Sequence, residues 1–204
     1  MAEGTPPPIR YEQMARKAPD GAMDLGVLVP GEGDLELEIG FGRGRFLIER
    51  ARAAPGSRVV GIEIKAKWAH LVEERRKRLG LGNVVALWGD ARTVLPRATP
   101  DGALARVFVH FPDPWWKKRH DKRRVVDADF LEQLARLMRS GGELFVQTDV
   151  EDRAAAMAER IAAVPAFRLE AGLEHANPYG ARSNREVRAE EDGLPIYRIV
   201  ATRG

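Results

Sequence analysis

The spacing of apolar residues alternates between two patterns along this chain. Short runs that are apolar or β-branched predict strands at 34–40, 57–64, 83–89, 103–111 and 142–148. Between them, 43–53, 65–79 and 151–164 are predicted to be helices. One more helix is predicted to begin at a cap, Asp127 or Asp129, because the residues after it then form a single apolar stripe. That stripe consists of Phe130, Leu131, Leu134, Leu137 and Met138.

Alternating strands and helices indicate an α/β fold with a parallel, doubly wound sheet. Two last runs, 167–173 and 195–203, predict final strands that pair antiparallel at one edge. Sheets of this kind bind ligands beyond the carboxyl ends of their strands, where the strand order reverses. Residues that directly follow strands are therefore the first candidates for a functional site.

The chain is expected to form one domain preceded by an arm. Residues 1–33 are rich in Pro and Gly and predict a partly flexible arm with at most a short helix near Tyr11–Lys17; residues 34–204 predict the domain. The chain has no Cys, which excludes disulfides and thiolate metal sites, and no metal is expected. No secretory signal or membrane-spanning run is recognisable, so we expect a cytoplasmic protein, monomer or homodimer, without a membrane partner.

Positive charge is concentrated in one short run. The formal net charge is +3, but residues 117–124 (KKRHDKRR) alone contain six Lys or Arg and one Asp. The rest of the chain therefore carries a slight excess of acidic residues. A local cationic run predicts contact with a polyanion, although a solvated basic loop would have the same composition. The candidate backbone-binding residues are Lys118, Arg119, Lys122, Arg123 and Arg124.

A glycine-rich turn follows the first predicted strand. It reads Glu38-Ile39-Gly40-Phe41-Gly42-Arg43-Gly44. The order Gly-x-Gly-x-Gly differs from the Gly-x-Gly-x-x-Gly of dinucleotide-binding folds and is typical of class I methyltransferases. Gly40 and Gly42 are candidates for close backbone approach to a cofactor, and a tight turn without a ligand is the alternative.

Acidic residues follow the next two strands as well. Glu63 could accept hydrogen bonds from a ribose diol, or begin a helix at the surface. Asp90 could bind an adenine amino group or simply cap a helix. Together with Glu38 they form an acidic rim, which suits a cationic sulfonium cofactor better than a pyrophosphate.

The most informative segment is Phe111–Arg124, which reads FPDPWWKKRHDKRR. Prolines on both sides restrict the backbone around Asp113. Trp115 and Trp116 offer flat faces on which unpaired bases can stack, and the cations that follow can contact phosphates.

This segment resembles the signature of the bacterial tRNA (guanine-N(7)-)-methyltransferase family, whose usual form is close to FPDPWPKKRHxKRR. The resemblance spans about residues 30–204 and includes LEIGFGRG (37–44), GIEI (61–64), GDA (89–91) and QTD (147–149). It implies a Rossmann-like class I methyltransferase fold with a mostly parallel seven-stranded sheet, helices on both faces and an antiparallel C-terminal edge. It also implies methylation of the variable-loop guanine at tRNA position 46, giving 7-methylguanosine, with S-adenosylmethionine as cofactor and tRNA as partner.

The resemblance assigns roles to individual residues. It implies that Glu38, Glu63 and Asp90 bind S-adenosylmethionine, that Asp113 is the catalytic or cofactor-proximal acid, and that Lys117 and Asp149 contact the substrate. Near the C-terminus the family usually has Thr-Lys-Phe-Glu, and the matching residues here are Ser183-Asn184-Arg185-Glu186. Ser183 and Glu186 are therefore candidate substrate-binding residues, with a plain surface loop as the alternative.

Three other functions are compatible with parts of the pattern. A methyltransferase of the same fold could act on another RNA or a small molecule, although the basic run disfavours a small neutral substrate. An RNA-binding relative without catalysis is disfavoured by the intact acidic trio. A nucleotide-dependent oxidoreductase is disfavoured by the glycine spacing and by the segment around Asp113.

Overall fold

A computed structural model describes residues 8–112, 126–173 and 175–204. Its strands are β1 Met23–Asp24, β2 Leu35–Ile39, β3 Arg58–Glu63, β4 Val84–Trp88, β5 Ala98–Thr99, β6 Leu104–His110, β7 Met138–Thr148, β8 Phe167–Leu169 and β9 Tyr197–Arg203. Its α-helices are α1 Leu25–Leu28, α2 Arg45–Ala53, α3 Ala66–Arg78, α4 Ala91–Val94, α5 Ala128–Leu137, α6 Glu151–Ala162 and α7 Asn184–Glu191. Short 3₁₀ turns lie at Tyr11–Gln13 and Leu95–Arg97.

Seven strands form the main sheet in the order β4-β3-β2-β6-β7-β9-β8. Neighbours from β4 to β7 are parallel, whereas β9 runs antiparallel to both β7 and β8. The chain builds outwards from β2 in one direction through β3 and β4, and in the other through β6 and β7. The order therefore reverses between β2 and β6, and the predicted fold class, including the antiparallel C-terminal edge, is confirmed.

Alternation along β2 separates the two faces of the sheet. Leu35, Leu37 and Ile39 belong to the larger apolar cluster, which also contains buried residues of α5 and α6. Glu36 and Glu38 point to the opposite face, as the two-residue period of a strand requires. Phe46 on α2 packs on that opposite face.

The buried Glu36 is compensated by two arginines. Its carboxylate accepts hydrogen bonds from Arg50 Nε at 2.7 Å and Nη2 at 2.6 Å, and from Arg106 Nη1 at 3.0 Å. Arg50 Nη1 also donates to the Tyr179 carbonyl at 3.0 Å. A buried carboxylate is tolerated when it is paired and hydrogen-bonded in this way, and the same contacts fasten α2 and the segment before α7 to the sheet.

Several elements differ from the sequence expectation. The predicted helix near Tyr11–Lys17 is only a 3₁₀ turn at Tyr11–Gln13, and β7 begins at Met138 rather than at 142. Helix α7 follows Ser183, where no helix was predicted. Met23, Leu25 and Val29 from the predicted arm are buried in the larger apolar cluster. The division at residue 33 remains a prediction.

Among the residues that the structure describes, no helix is long and apolar enough to cross a membrane.

Candidate active site

Glu38 lies near the carboxyl end of the central strand β2 and is buried. His110 Nδ1, at the end of the neighbouring strand β6, lies 3.0 Å from Glu38 Oε1. Glu38 Oε2 is buried and has no hydrogen-bond partner within the described residues. Burial raises the pKa of the Glu38 carboxyl above its usual range, and the contact with His110 opposes this only in part. The carboxylate predicted to bind the cofactor is therefore enclosed, and only one of its two oxygens has a hydrogen-bond partner among the described residues.

The glycine turn after β2 combines tight packing with open space. Gly40, Gly42 and Gly44 all have positive φ, at 72°, 53° and 67°. A Cβ at Gly44 would lie 2.5 Å from Val72 Cγ2, so the close approach of α2 to α3 requires glycine there. A Cβ at Gly40 or Gly42 would meet nothing within 4 Å. These two glycines therefore leave room for a ligand beside the turn.

Glu63, at the end of β3, fixes the same turn. Its Oε2 accepts a hydrogen bond from the Gly42 N–H at 2.8 Å, and its Oε1 accepts one from the Lys65 N–H at 2.8 Å. Each carboxylate oxygen has a second lone pair, so a ribose diol could bind the same group. The structure thus places Glu63 beside the glycine turn, and its contact with a ribose remains a prediction.

Asp90 follows β4 and caps α4. Its Oδ1 accepts a hydrogen bond from the Arg92 N–H at 2.9 Å. The capping role that the sequence left open is therefore real, and binding of an adenine amino group by the same carboxylate remains a prediction. With Asp90, an acidic residue lies at the carboxyl end of each of three adjacent strands, β2, β3 and β4.

Strand β6 ends with an unusual backbone conformation. The Phe111 N–H donates to the Gln147 carbonyl at 2.7 Å, and Phe111 has a φ of 47°, the one positive value among the described residues other than glycine. Such conformations cost energy and concentrate at functional sites. The described residues end at Pro112 and resume at residue 126, so Asp113 and the basic residues of the signature lie outside them. Those residues are Lys117, Lys118, Arg119, Lys122, Arg123 and Arg124.

Asp149 follows β7 at the same edge of the sheet. Its Oδ2 accepts a hydrogen bond from Arg185 Nε at 2.9 Å. The Asp149 side chain is 15% exposed and that of Arg185 is 45% exposed. The structure therefore brings two predicted substrate-side segments, QTD and Ser183–Glu186, into contact.

Ser183 and Glu186 form the start of α7. Ser183 Oγ accepts from the Glu186 N–H, and the Glu186 side chain accepts from the Ser183 N–H, which is a capping box. The surface-loop alternative for these residues is therefore wrong, because they begin a helix.

The Glu186 carboxylate is fully buried and has several donors around it. Gln147 Nε2, Asn177 Nδ2 and Arg198 Nη2 donate to Oε1 at 3.0, 2.9 and 3.0 Å. Burial alone would raise the pKa of Glu186, but these hydrogen bonds outweigh it and hold the pKa below its usual range. The contacts describe a group that positions α7, and direct substrate binding by Glu186 remains a prediction.

The sequence pattern did not predict three of the polar residues near this site. His110, Gln147 and Arg198 occupy the same row on adjacent strands β6, β7 and β9. Buried polar residues in otherwise apolar strands, such as the His that ends VFVH, were the available signal. The carboxylates that these residues contact depend on strand register and on the position of α7. Neither can be derived from the local sequence pattern.

Comparisons with known proteins identify the family. A family model described as "Putative methyltransferase" matches residues 32–199. The tRNA (guanine-N(7)-)-methyltransferase of Anaeromyxobacter dehalogenans is 44% identical over 170 residues, covering 82% of this chain and 84% of that protein. The enzyme of the same name from Trichormus variabilis is 37% identical over 174 residues, covering 83% of this chain and 81% of that protein. The chain belongs to the tRNA (guanine-N(7)-)-methyltransferase family.

Solved structures place this family member among class I methyltransferases in fold. The 16S rRNA methyltransferase KamB superposes with a TM-score of 0.65 at 20% identity, covering 87% of this chain and 91% of that one. TrmN from Thermus thermophilus gives a TM-score of 0.59 at 22% identity, covering 88% of this chain and 47% of that one.

The residues of this family member fit S-adenosylmethionine, the cofactor of such methyltransferases. Gly40 and Gly42 border open space, and Glu38 keeps a buried oxygen without a partner in the described chain. Carboxylates at the ends of β2, β3 and β4 favour a cofactor with a positive sulfonium. Within the described ranges no cluster of three or more His, Cys, Asp and Glu could hold a metal ion.

Proposed function

We propose that this protein transfers the methyl group of S-adenosylmethionine to N(7) of guanine in tRNA, at position 46 of the variable loop. One observation carries the proposal: Glu38, Glu63 and Asp90 lie at the carboxyl ends of three adjacent strands, and the FPDPWWKKRHDKRR segment begins directly after β6, the strand on the other side of β2. A cofactor site and an RNA-binding segment therefore begin side by side at the point where the strand order reverses.

The cofactor side of the site is assigned to five described residues. Glu63 is suited to a ribose diol, Asp90 to the adenine amino group, and Glu38 to the positively charged methionine end. Gly40 and Gly42 allow the turn to approach the ligand without a side chain in the way. When bound, S-adenosylmethionine supplies an electrophilic methyl group.

The chemistry asks little of a general base. Guanine N(7) has an in-plane lone pair and no proton, so the nucleophile is already available. The protein has to align N(7) with the methyl group and offset the positive charge that the base acquires. We assign the second task to Asp113, whose flanking prolines restrict its backbone.

The substrate side is assigned to two groups of residues. Lys117 and Asp149 are proposed to contact the target nucleotide, with Ser183 and Glu186 beside them. Lys118, Arg119, Lys122, Arg123 and Arg124 are proposed to bind tRNA phosphates. We place this activity in the cytoplasm, where tRNA is processed, with the protein acting as a monomer or homodimer.

The decisive experiment incubates purified protein with S-adenosylmethionine and a tRNA transcript, followed by mass analysis of the nucleosides. We expect 7-methylguanosine in a transcript with guanine at position 46 and none in a matched transcript with adenine there. The Asp113→Ala variant should lose turnover while unfolding at the wild-type temperature. An Asp113→Ala enzyme of near-normal activity, or a wild-type enzyme that methylates both transcripts equally, would contradict the proposal.

A further inference from the structure

A surface that combines cations with aromatic rings lies beside the cofactor turn, on the side of β3 and α3. It consists of Tyr11, Arg43, Lys67 and Trp68, and we call it the Trp68 face. The Arg43 guanidinium lies 5.3 Å from the centre of the Trp68 ring, and Lys67 Nζ lies 5.4 Å from it. Lys67 Nζ is also 5.9 Å from the centre of the Tyr11 ring. Two aromatic rings and two cations therefore share one small area.

The cations of this face have no carboxylate partner in the described chain. Arg43 and Lys67 are exposed, and neither takes part in a salt bridge between described residues. Other cations of α3 are paired within the helix, as Arg76 is with Glu73 and Lys77 with Glu74. Cations that are left without a carboxylate are available to an external anion.

Two segments of the fold fix the position of the face. Arg43 lies in the turn after β2 and Trp68 in the first turn of α3, so both are at the carboxyl edge that carries Glu38 and Glu63. Tyr11 reaches this edge because the chain after it follows the outer strand β4. The Ala18 N–H donates to the Trp88 carbonyl at 2.9 Å, and the Trp88 N–H donates to the Arg16 carbonyl at 2.8 Å.

The cationic character continues along α3. Arg75 and Arg78 follow Lys67 at helical spacing on the exposed side of the helix. Arg78 lies eleven positions after Lys67 on the helix, which corresponds to roughly 16 Å. A strand of RNA lying along the helix could therefore meet several cations in succession.

We propose that the Trp68 face binds an unpaired part of the tRNA substrate, with a base stacked on Trp68 and phosphates at Arg43 and Lys67. Aromatic faces combined with unpaired cations are the surface that binds single-stranded nucleic acid without sequence preference. This inference rests on the proposed function and adds a contact on the β3 side of the cofactor turn, whereas β6 ends on its other side. An acidic protein would need the cations but gain little from the partly exposed aromatic rings.

The test compares two double charge reversals of equal net charge. Arg43→Glu with Lys67→Glu removes both cations of the face. Arg52→Glu with Arg168→Glu is the matched control, because both side chains are exposed and form no salt bridge with another described residue, one at the end of α2 and the other on the edge strand β8. Dissociation constants for a tRNA transcript and for S-adenosylmethionine are measured over a range of salt concentrations.

We expect the Arg43/Lys67 variant to bind tRNA at least about tenfold more weakly, with a salt slope reduced by about 1.5, because two phosphate contacts are lost. The control should stay within about twofold of the wild type, and both variants should bind S-adenosylmethionine normally. Trp68→Leu should weaken tRNA binding about tenfold with an unchanged salt slope, because stacking releases no counterions.

Three results would overturn the inference. They are unchanged tRNA affinity in the Arg43/Lys67 variant, an equal loss in the control, or a loss of S-adenosylmethionine affinity alone, which would assign the cations to the cofactor. If Trp68→Leu does not fold, the exposed charge reversals decide the question. Formation of 7-methylguanosine by the wild-type protein is measured in parallel, so failure of the proposed function remains distinguishable from failure of this contact.

Discussion

His110 Nδ1 lies 3.0 Å from Glu38 Oε1, and the two side chains are only 3% and 1% exposed. Glu36, two residues earlier on the same face of β2, is instead paired with Arg50 and Arg106. The same strand thus contains one buried carboxylate with full cationic compensation and another whose partner is an imidazole. The second one stands next to the cofactor turn, where an acidic group is available to the ligand.

Replacement of Glu38 by Gln should change both the pH dependence of the unfolding free energy and the affinity for S-adenosylmethionine. Because burial raises the pKa of Glu38, the folded state favours the protonated form, and its stabilising effect is complete below the ordinary carboxyl pKa. That contribution is lost as the pH rises through the folded pKa. Glu38→Gln should therefore flatten the decline in unfolding free energy with rising pH, while S-adenosylmethionine binds about tenfold more weakly. Denaturant unfolding and calorimetry across pH measure both effects.

Glu36→Gln is the matched comparison for that variant. It removes a carboxylate from the same strand and face and leaves Arg50 without its carboxylate partner, whereas Arg106 keeps Asp34 at 3.1 Å. We expect a loss of about 3 kcal/mol in unfolding free energy at neutral pH, because the largely buried Arg50 cation remains uncompensated. We assign a structural role to Glu36 and a cofactor-binding role to Glu38. A Glu36→Gln protein as stable as the wild type, or a Glu38→Gln protein with unchanged cofactor affinity, would contradict this difference.

Replacing two glycines of the turn by Ala should have different consequences: Gly44→Ala should mainly lower stability, and Gly42→Ala should mainly lower cofactor affinity. Gly44→Ala places Cβ 2.5 Å from Val72 Cγ2 at a positive φ, so we expect a loss of about 2–3 kcal/mol in unfolding free energy. Gly42→Ala meets no neighbour and should cost only about 1 kcal/mol, from its positive φ. Its larger effect should be on S-adenosylmethionine affinity, because the methyl group enters the open space beside the turn.

Gly80→Ala is the control for the backbone cost. Gly80 has a φ of 65° after α3, and a Cβ there would meet nothing within 4 Å. It should lose as much stability as Gly42→Ala with no change in cofactor affinity. Shortening Val72 to Ala in the Gly44→Ala background should recover part of the lost stability. Equal cofactor affinities in the Gly42 and Gly80 variants would refute the assignment of Gly42.

Glu186 should make the protein sensitive to acid. Its pKa is lowered in the folded state, so its stabilising effect is present above the ordinary carboxyl pKa and is lost as the pH falls through the folded pKa. Glu186→Gln should lose about 3 kcal/mol at neutral pH, since Arg198 loses its buried partner, and should show a flatter pH dependence in acid. Glu190→Gln, on the exposed side of the same helix, should change stability by less than about 1 kcal/mol.

The pair Asp149–Arg185 allows a test of the substrate side. Asp149→Asn should reduce kcat/KM for tRNA at least about tenfold while S-adenosylmethionine affinity stays unchanged, because the carboxylate is assigned to the nucleotide. Arg185→Ala removes only the partner, which is largely exposed, and should cost less than about 1 kcal/mol in stability. Arg188→Ala, which breaks another exposed pair on α7, serves as its control. Normal methylation by Asp149→Asn would exclude the assigned contact.

Much of the fold follows from local pattern. The runs that became β2, β3, β4 and β6 were predicted to within two residues at either end, because β-branched apolar runs bounded by glycine have few alternatives. Helix α7 was missed, since its sequence NREVRAEE has little apolar periodicity and its position depends on Glu186. Met23 and Leu25 looked like part of a loose arm, because nothing in the adjacent residues indicates that distant strands would bury them.

The order of residue types along the chain by itself determined the parallel α/β sheet, an acidic residue at the carboxyl end of β2, β3 and β4, and the cationic segment after β6. The tertiary structure alone decided that Glu38 meets His110, that Glu186 is enclosed by Gln147, Asn177 and Arg198, that Arg43 lies over Trp68 and that Lys67 lies over Tyr11. The physical reason is the distance along the chain over which each kind of interaction acts. Hydrophobic period and turn chemistry act over a few residues, whereas these contacts join groups as far apart as 72 residues that only strand register and helix packing bring together.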